Sequence, residues 1–364
     1  MSAFPGRVGL QQRVFPAYRA AFFDRLALAC RDGLSLFAGD ARPDEVVLGS
    51  PSLRVAQLIH ARNVHILRGP LYLCFQRGIR GWLEALNPDA LILEANPRYL
   101  ANWEAAAWMR RRSRPILGWG LGTPATRNPA LRGLRKAYLR RFDVLIAYST
   151  LGRDQYLAAG VPAERVFIAY NASEPPPPRP PDRPPSVGRP ARVLFTGRLQ
   201  ARKRVDLLLQ ACAHARPQPE LWVVGDGPAR QGLERLAASL FPQAKFLGAL
   251  QGQGLDNLFV QADLFVLPGT GGLAVQQAMA HGLPVIAAEG DGTQNDLVAP
   301  DNGWLVPPGD LSALGEALQL ALADPMGLRQ RGMASYRRVV ERFNIDAMAQ
   351  VFVDALRAAS ELRE

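Results

Sequence analysis

Residues 174–190 read EPPPPRPPDRPPSVGRP, and this segment constrains the chain more than any other. Nine prolines in seventeen residues leave few backbone donors, so neither a helix nor a central strand can form there. Polyproline II is the accessible conformation, which fits a stiff spacer better than a docking site for a partner. The sequence therefore divides into residues 1–173, a linker at 174–190, a second half at 191–342 and a terminal segment at 343–364. The total of 364 residues suits two domains, each with its own core.

Both halves show short apolar runs followed by amphipathic stretches. The strand candidates are 35–39, 89–95, 115–120 and 143–149 in the first half. In the second they are 192–197, 220–225, 244–249, 262–268 and 283–288. Most are uninterrupted rather than alternating, as strands buried on both faces must be. Helical patterns over 205–215 and 273–282 follow strands. The expected class is α/β, with two Rossmann-like parallel sheets facing across a cleft. In such sheets ligands bind beyond the carboxyl ends of the strands.

Charge is uneven. Residues 1–174 carry 24 Lys/Arg against 13 Asp/Glu, and the remainder carries 19 of each, so the whole net charge of +11 lies in the first half. Such a field attracts anions, unless Arg merely decorates solvated faces. The stretches 105–115 and 131–142 interleave Trp108, Tyr138 and leucines with arginines, a pattern that suits an anionic membrane surface or a solvated helix. A nucleic-acid partner is not expected, since no recognition signature accompanies the charge. Cys30, Cys74 and Cys212 are widely spaced, which argues for core residues rather than a metal site. No run reaches the roughly 20 apolar residues of a membrane span, and the start lacks a secretion pattern, so a cytoplasmic protein is expected.

Three segments of the second half carry chemistry. In TGRLQARKRVDLLLQA (196–211), Gly197 lets a buried strand turn sharply, and Arg198 and Lys203 stand between that strand and a helix. Two cations there suit an anion. A loop charged only for solubility has no reason to sit at the carboxyl edge. In VVGDGPARQGLERLA (223–237), Gly225 and Gly227 permit close backbone approach. In VLPGTGGLAVQQAMAHGLPVIAAEGDGTQNDLV (266–298), the amides of Thr270, Gly271, Gly272 and Leu273 open a helix and suit a phosphate or sugar hydroxyls. Gln277 lies one turn further on, within reach of a hydroxyl. His281 reads as a helix C-terminal residue.

The order of these segments, with NGWLVPPGD (302–310) and FNIDAMAQVFVDAL (343–356), resembles the retaining glycosyltransferases of family four, which have the GT-B fold. The resemblance implies that Arg198 and Lys203 hold the diphosphate of a nucleotide-sugar donor without a metal or other cofactor. It implies that Phe246 and Leu247 lie where backbone reads the base, and that the terminal helix returns to the first domain. The family's two glutamates, seven residues apart, are replaced here by Gly269 and Gln277, which marks a variant "PG-x-x-GL" subgroup. Either the main chain of 270–273, Glu289 or Asp291 is expected to take over the sugar contact. In the first half, QQRVFPAYRAAFFDR (11–25) resembles the loop that passes the donor phosphates, with Arg19 a phosphate contact or a solvated helix residue. LEANPRYLANW (93–103) offers Asn96 and Arg98 to an acceptor. GWGLGT (118–123) carries Trp119, with Leu121 where related enzymes have a histidine, and VFIAYNAS (166–173) carries Asn171. The expected activity is hexosyl transfer to a sugar or lipid-linked acceptor in envelope polysaccharide or glycolipid synthesis. A catalytically silent nucleotide- or partner-binding protein is the alternative.

Overall fold

The computed structural model describes residues 3–42, 45, 52–124, 126–183 and 188–363. The chain forms two compact units, Met1–Ser173 with Ile345–Glu364, and Glu174–Asn344.

The first unit is built on eight strands: β1 (Val8–Val14), β2 (Leu34–Gly39), β3 (Gln57–Ile66), β4 (Leu73–Arg77), β5 (Ala90–Glu94), β6 (Ile116–Gly120), β7 (Val144–Ala147) and β8 (Val166–Ile168). Their order is β4-β3-β2-β1-β5-β6-β7-β8, parallel except for the antiparallel β3–β4 pair. β2 and β7 are buried at every position, which explains their uninterrupted apolar sequences. β3 and β4 carry mixed polar residues at one edge of the sheet and have no such signature.

The terminal helix Ile345–Glu361 belongs to this unit. Its apolar face packs on the helix Ala20–Leu28. The Phe352 ring meets Phe22 at 5.0 Å and Trp119 at 4.9 Å, both edge to face, and Arg25 pairs with Asp346 at 2.5 Å. Trp108 and Tyr138 are also core residues, with the Arg112 guanidinium 3.7 Å above the Trp108 ring. The aromatic residues of the two basic stretches are therefore not offered to a membrane. Arg110, Arg111 and Arg112 remain on the surface.

The second unit is a six-stranded parallel sheet of β9 (Arg192–Thr196), β10 (Glu220–Val224), β11 (Lys245–Gly248), β12 (Leu264–Leu267), β13 (Val285–Ala288) and β14 (Gly303–Val306). The order is β11-β10-β9-β12-β13-β14. All three cysteines are buried and free.

The proline-rich segment is a bound strap on this unit rather than a free spacer, through residue 183, with 184–187 outside the described residues. The buried Arg183 guanidinium donates to three main-chain carbonyls, those of His281 (2.7 Å), Ala262 (2.6 Å) and Phe259. The Tyr336 hydroxyl donates to the Pro177 carbonyl at 3.3 Å. Beyond the strap's end, the fully buried Asp263 carboxylate takes Arg189 at 2.7 and 3.1 Å, the Arg192 amide at 2.8 Å, and Arg329. Burial alone raises a carboxyl pKa, but these donors hold Asp263 below the usual range.

Phe352→Ala removes an aromatic ring from the centre of the first unit. It is expected to cost that unit about 3–5 kcal/mol of unfolding free energy in urea titration. Phe352→Leu should cost much less, and a loss below 1 kcal/mol for the alanine variant would deny the helix its structural role.

Candidate functional site

In the second unit the strand order reverses between β9 and β12. A crevice opens at such a switch point, beyond the carboxyl ends of the strands. The loop leaving β9 carries Gly197, Arg198 and Lys203, and the loop leaving β12 carries Gly269 to Gly272. Close approach between main chains requires the glycines. A Cβ on Gly225 would stand 1.9 Å from the Gly197 carbonyl oxygen, and both residues have φ in the positive region, at 137° and 148°. A Cβ on Gly227 would stand 2.4 Å from the Leu199 carbonyl oxygen.

Lys203 is only 8 % exposed. A single 3-10 turn, Ala201–Lys203, and a left-handed Arg204 (φ 52°) bring it inward ahead of the helix Val205–His214. Its Nζ donates to the Thr270 carbonyl at 2.5 Å, while Arg202 donates to Thr270 Oγ1 at 2.9 Å. A Cβ on Gly271 would lie 2.4 Å from that Nζ, so the ammonium lies against the bare glycine. Burial and the neighbouring Arg202 lower its pKa to about 8, with Asp291 opposing. Arg198 is half-buried, and its guanidinium has no hydrogen-bond or ion-pair partner among the described residues. One loop thus holds an unpaired guanidinium and an under-neutralised ammonium.

Gly269 lies against main chain. A Cβ there would meet the Arg202 carbonyl oxygen at 2.2 Å and the Lys203 main chain at 2.6 Å. Main chain fills the space that a side chain would need. Glu289 and Asp291 are exposed, and Asp291 caps the Thr293 amide at 3.1 Å. Thr270 to Leu273 lead into the helix Leu273–Ala280, on which Gln277 is half-buried. Phe246 and Leu247 lie on the edge strand β11, joined to the site where the Gly225 amide donates to the Gly248 carbonyl at 2.7 Å. His281 caps its helix, with Nδ1 2.9 Å from the Gln277 carbonyl and its ring stacked on Phe259.

In the first unit the strand order reverses between β1 and β5. Arg19 is 7 % exposed, not on a solvated helix face. Its guanidinium lies 4.2 Å above the Trp119 ring and donates to the Tyr148 hydroxyl at 2.9 Å, and its Nη1 is buried without a partner. Trp119 is a buried platform beneath it rather than a surface residue. Leu121 is exposed. Asn96 shapes a turn, accepting from the Arg98 amide at 3.1 Å. Arg98 is half-buried, and Asn171 has a buried Oδ1 without a partner.

Two residues here escaped the sequence reading. β1 and β5 pair Leu10 with Ile92, and two residues further along each strand stand Gln12, close to the end of β1, and Glu94, the last residue of β5. Gln12 Nε2 is buried and unpartnered. The Glu94 carboxylate accepts from the Arg13 amide at 2.5 Å, and burial raises its pKa against the opposing pull of Arg13 and Arg19. Its one sequence signal was a carboxylate ending an otherwise apolar strand.

Two Rossmann-like parallel-sheet units of this kind define the GT-B class. The structure of HepE from Anabaena in complex with UDP matches with a TM-score of 0.72 at 18 % identity, over 98 % of this chain and 100 % of that one. The family model "Glycosyl transferases group 1" matches residues 190–324. A GDP-mannose-dependent alpha-mannosyltransferase of Mycolicibacterium smegmatis is 31 % identical over 82 % of this chain and 70 % of its own length. The chain belongs to the group 1 glycosyltransferases. A GDP-mannose-dependent monoacylated alpha-(1-6)-phosphatidylinositol monomannoside mannosyltransferase of Corynebacterium glutamicum is 33 % identical over 46 % of this chain. The chain spans about half of that relative, 47 % of its length.

If Lys203 binds an anion as its ammonium, nucleoside diphosphate affinity depends on its proton. The Kd should be flat up to about pH 8 and then weaken by up to roughly tenfold per pH unit as the ammonium is lost. Calorimetric titrations with UDP and GDP at successive pH values read this. Lys203→Met should abolish the break, whereas a wild-type profile flat to pH 9.5 would contradict it.

Proposed function

We propose that the chain transfers a hexosyl group from a nucleotide diphosphate sugar to a hydroxyl-bearing acceptor, with retention at the anomeric carbon and without a metal. The observation that carries this reading is the convergence of Arg198 and the buried Lys203 on the loop leaving β9, with the glycine loop leaving β12 against the Lys203 ammonium. As the bond from the anomeric carbon to the phosphate oxygen breaks, negative charge grows on the diphosphate. Fixed cations there stabilise the transition state more than the ground state and supply the charge otherwise provided by a metal. The acceptor oxygen bonds to the anomeric carbon, and its proton passes to the departing phosphate oxygen. Gly197, Gly225, Gly227 and the amides of 270–273 let main chain approach the phosphates. Phe246 and Leu247 offer main chain to the base, and Gln277 a hydroxyl contact to the ribose. Retention, and the assignment to a subgroup lacking the paired glutamates, follow the resemblance noted in the sequence.

The acceptor side of this reading is the mouth of the first unit's sheet, where Arg19, Gln12 and Glu94 present buried polar groups near Asn96, Arg98 and Asn171. A sugar or lipid-linked acceptor of the cell envelope is our reading, supported by the phosphatidylinositol monomannoside on which the Corynebacterium relative acts. Among the described residues no helix is long and apolar enough to cross a membrane. A cytoplasmic protein held at an anionic bilayer by its surface arginines fits the charge of the first half. The occupation of the glutamate position by main chain at Gly269 favours one second reading, a silent nucleotide-binding protein.

Arg198→Ala is expected to lower transfer from UDP- or GDP-sugars by roughly 10²–10³-fold while leaving the melting temperature unchanged. Activity within a few-fold of wild type would remove Arg198 from the reaction. Donor binding without transfer or hydrolysis in the wild type would favour the silent protein.

A further inference from the structure

The helix Thr293–Leu297 follows β13 and carries Gln294, which is fully buried. Both its side-chain atoms, Oε1 and Nε2, lack a partner among the described residues. An amide can make about four hydrogen bonds, and each buried group left without one is destabilising. A fold retains such a side chain where something else satisfies it. Its surroundings show what that is. Gly290 lies directly over the amide: a Cβ there would stand 2.9 Å from Oε1 and 3.0 Å from Nε2. Gly290 is itself exposed, so the amide lies one bare residue from solvent. The neighbouring Thr293 methyl packs on Gly272, where a Cβ would be 2.3 Å away, so Gln294 adjoins the glycine loop that covers Lys203. Asp291, on the intervening turn, is close enough to act on the Lys203 charge.

We propose that Gln294 reads the transferred sugar, taking over from another loop the hydroxyl recognition that a carboxylate at position 269 would otherwise provide. This rests on the donor reading above. A small shift of the 289–292 turn on donor binding uncovers the amide. Oε1 then accepts from one sugar hydroxyl and Nε2 donates to its neighbour. A vicinal pair of hydroxyls satisfies both atoms at once. A uronosyl group keeps those ring hydroxyls, but its carboxylate adds a negative charge that meets the like charge of Asp291. The site therefore selects a neutral hexosyl group over a uronosyl one.

The test is calorimetric binding of UDP and GDP, and of UDP-glucose, GDP-mannose and UDP-glucuronate, to wild type, Gln294→Met and Gly290→Ala. Gln294→Met keeps the volume and removes both partnerless atoms. It should fold with an equal or higher melting temperature. Its affinity for the preferred neutral nucleotide sugar should fall at least tenfold, and that for the parent nucleoside diphosphate less than twofold. Gly290→Ala, which presses a methyl on the amide, should show the same selective loss, and wild type should bind UDP-glucuronate more weakly than UDP-glucose. Equal shifts for nucleotide and nucleotide sugar, or none, would overturn the assignment to the sugar. Should the methionine variant fail to fold, normal nucleotide-sugar binding by Gly290→Ala would overturn it as well. Wild type that binds none of these ligands would overturn the donor reading itself.

Discussion

The buried ammonium of Lys203 is the constraint around which the second unit is arranged. A cation removed from water is costly unless other groups solvate it. Here the Thr270 carbonyl supplies one contact, and Gly271 leaves the Nζ no side chain to displace. Gly269 lets the β12 loop descend onto the main chain of Arg202 and Lys203. The sharp exit at Gly197, packed against Gly225, sets the start of the same loop. The lowered pKa of Lys203 shows that this solvation is incomplete, a deficit that a diphosphate would fill.

The first unit repeats the logic with different chemistry. Arg19 is solvated by aromatic faces and two tyrosine hydroxyls, those of Tyr18 and Tyr148, and retains an unused N–H. Trp119 and the terminal helix support it through Phe352. Each unit thus keeps an incompletely satisfied cation at the reversal of its strand order, where the fold itself leaves a crevice.

The α/β class was legible because strands buried on both faces, such as β12 and β13, have no polar residue to hide. β3 and β4 were not, since an edge pair with mixed burial mimics a loop. Arg198 and Lys203 stood out in the sequence by position, at the end of a strand and before a helix, and the structure turns Lys203 inward against the glycine loop. Gln294 and Glu94 were missed because a polar residue beside a turn or at a strand end reads as exposed, whereas the folded chain buries both. Trp108 and Tyr138 were ambiguous for the converse reason: arginines around an aromatic residue suit a membrane face and a helix over a core equally well, and here both aromatic side chains are buried. Gly269 carried no signal of its own in the sequence, whereas in the structure main chain lies where its side chain would stand.

The account depends on a diphosphate completing the solvation of Lys203, and the ammonium can be watched directly. The chain has only three lysines, at 136, 203 and 245, so lysine-labelled protein gives a readily assigned Nζ spectrum. Titrating that spectrum with and without UDP or GDP should place the free Lys203 pKa near 8 and raise it toward the ordinary lysine range when the nucleotide is bound. A Lys203 signal unmoved by saturating amounts of both nucleotides would contradict the account.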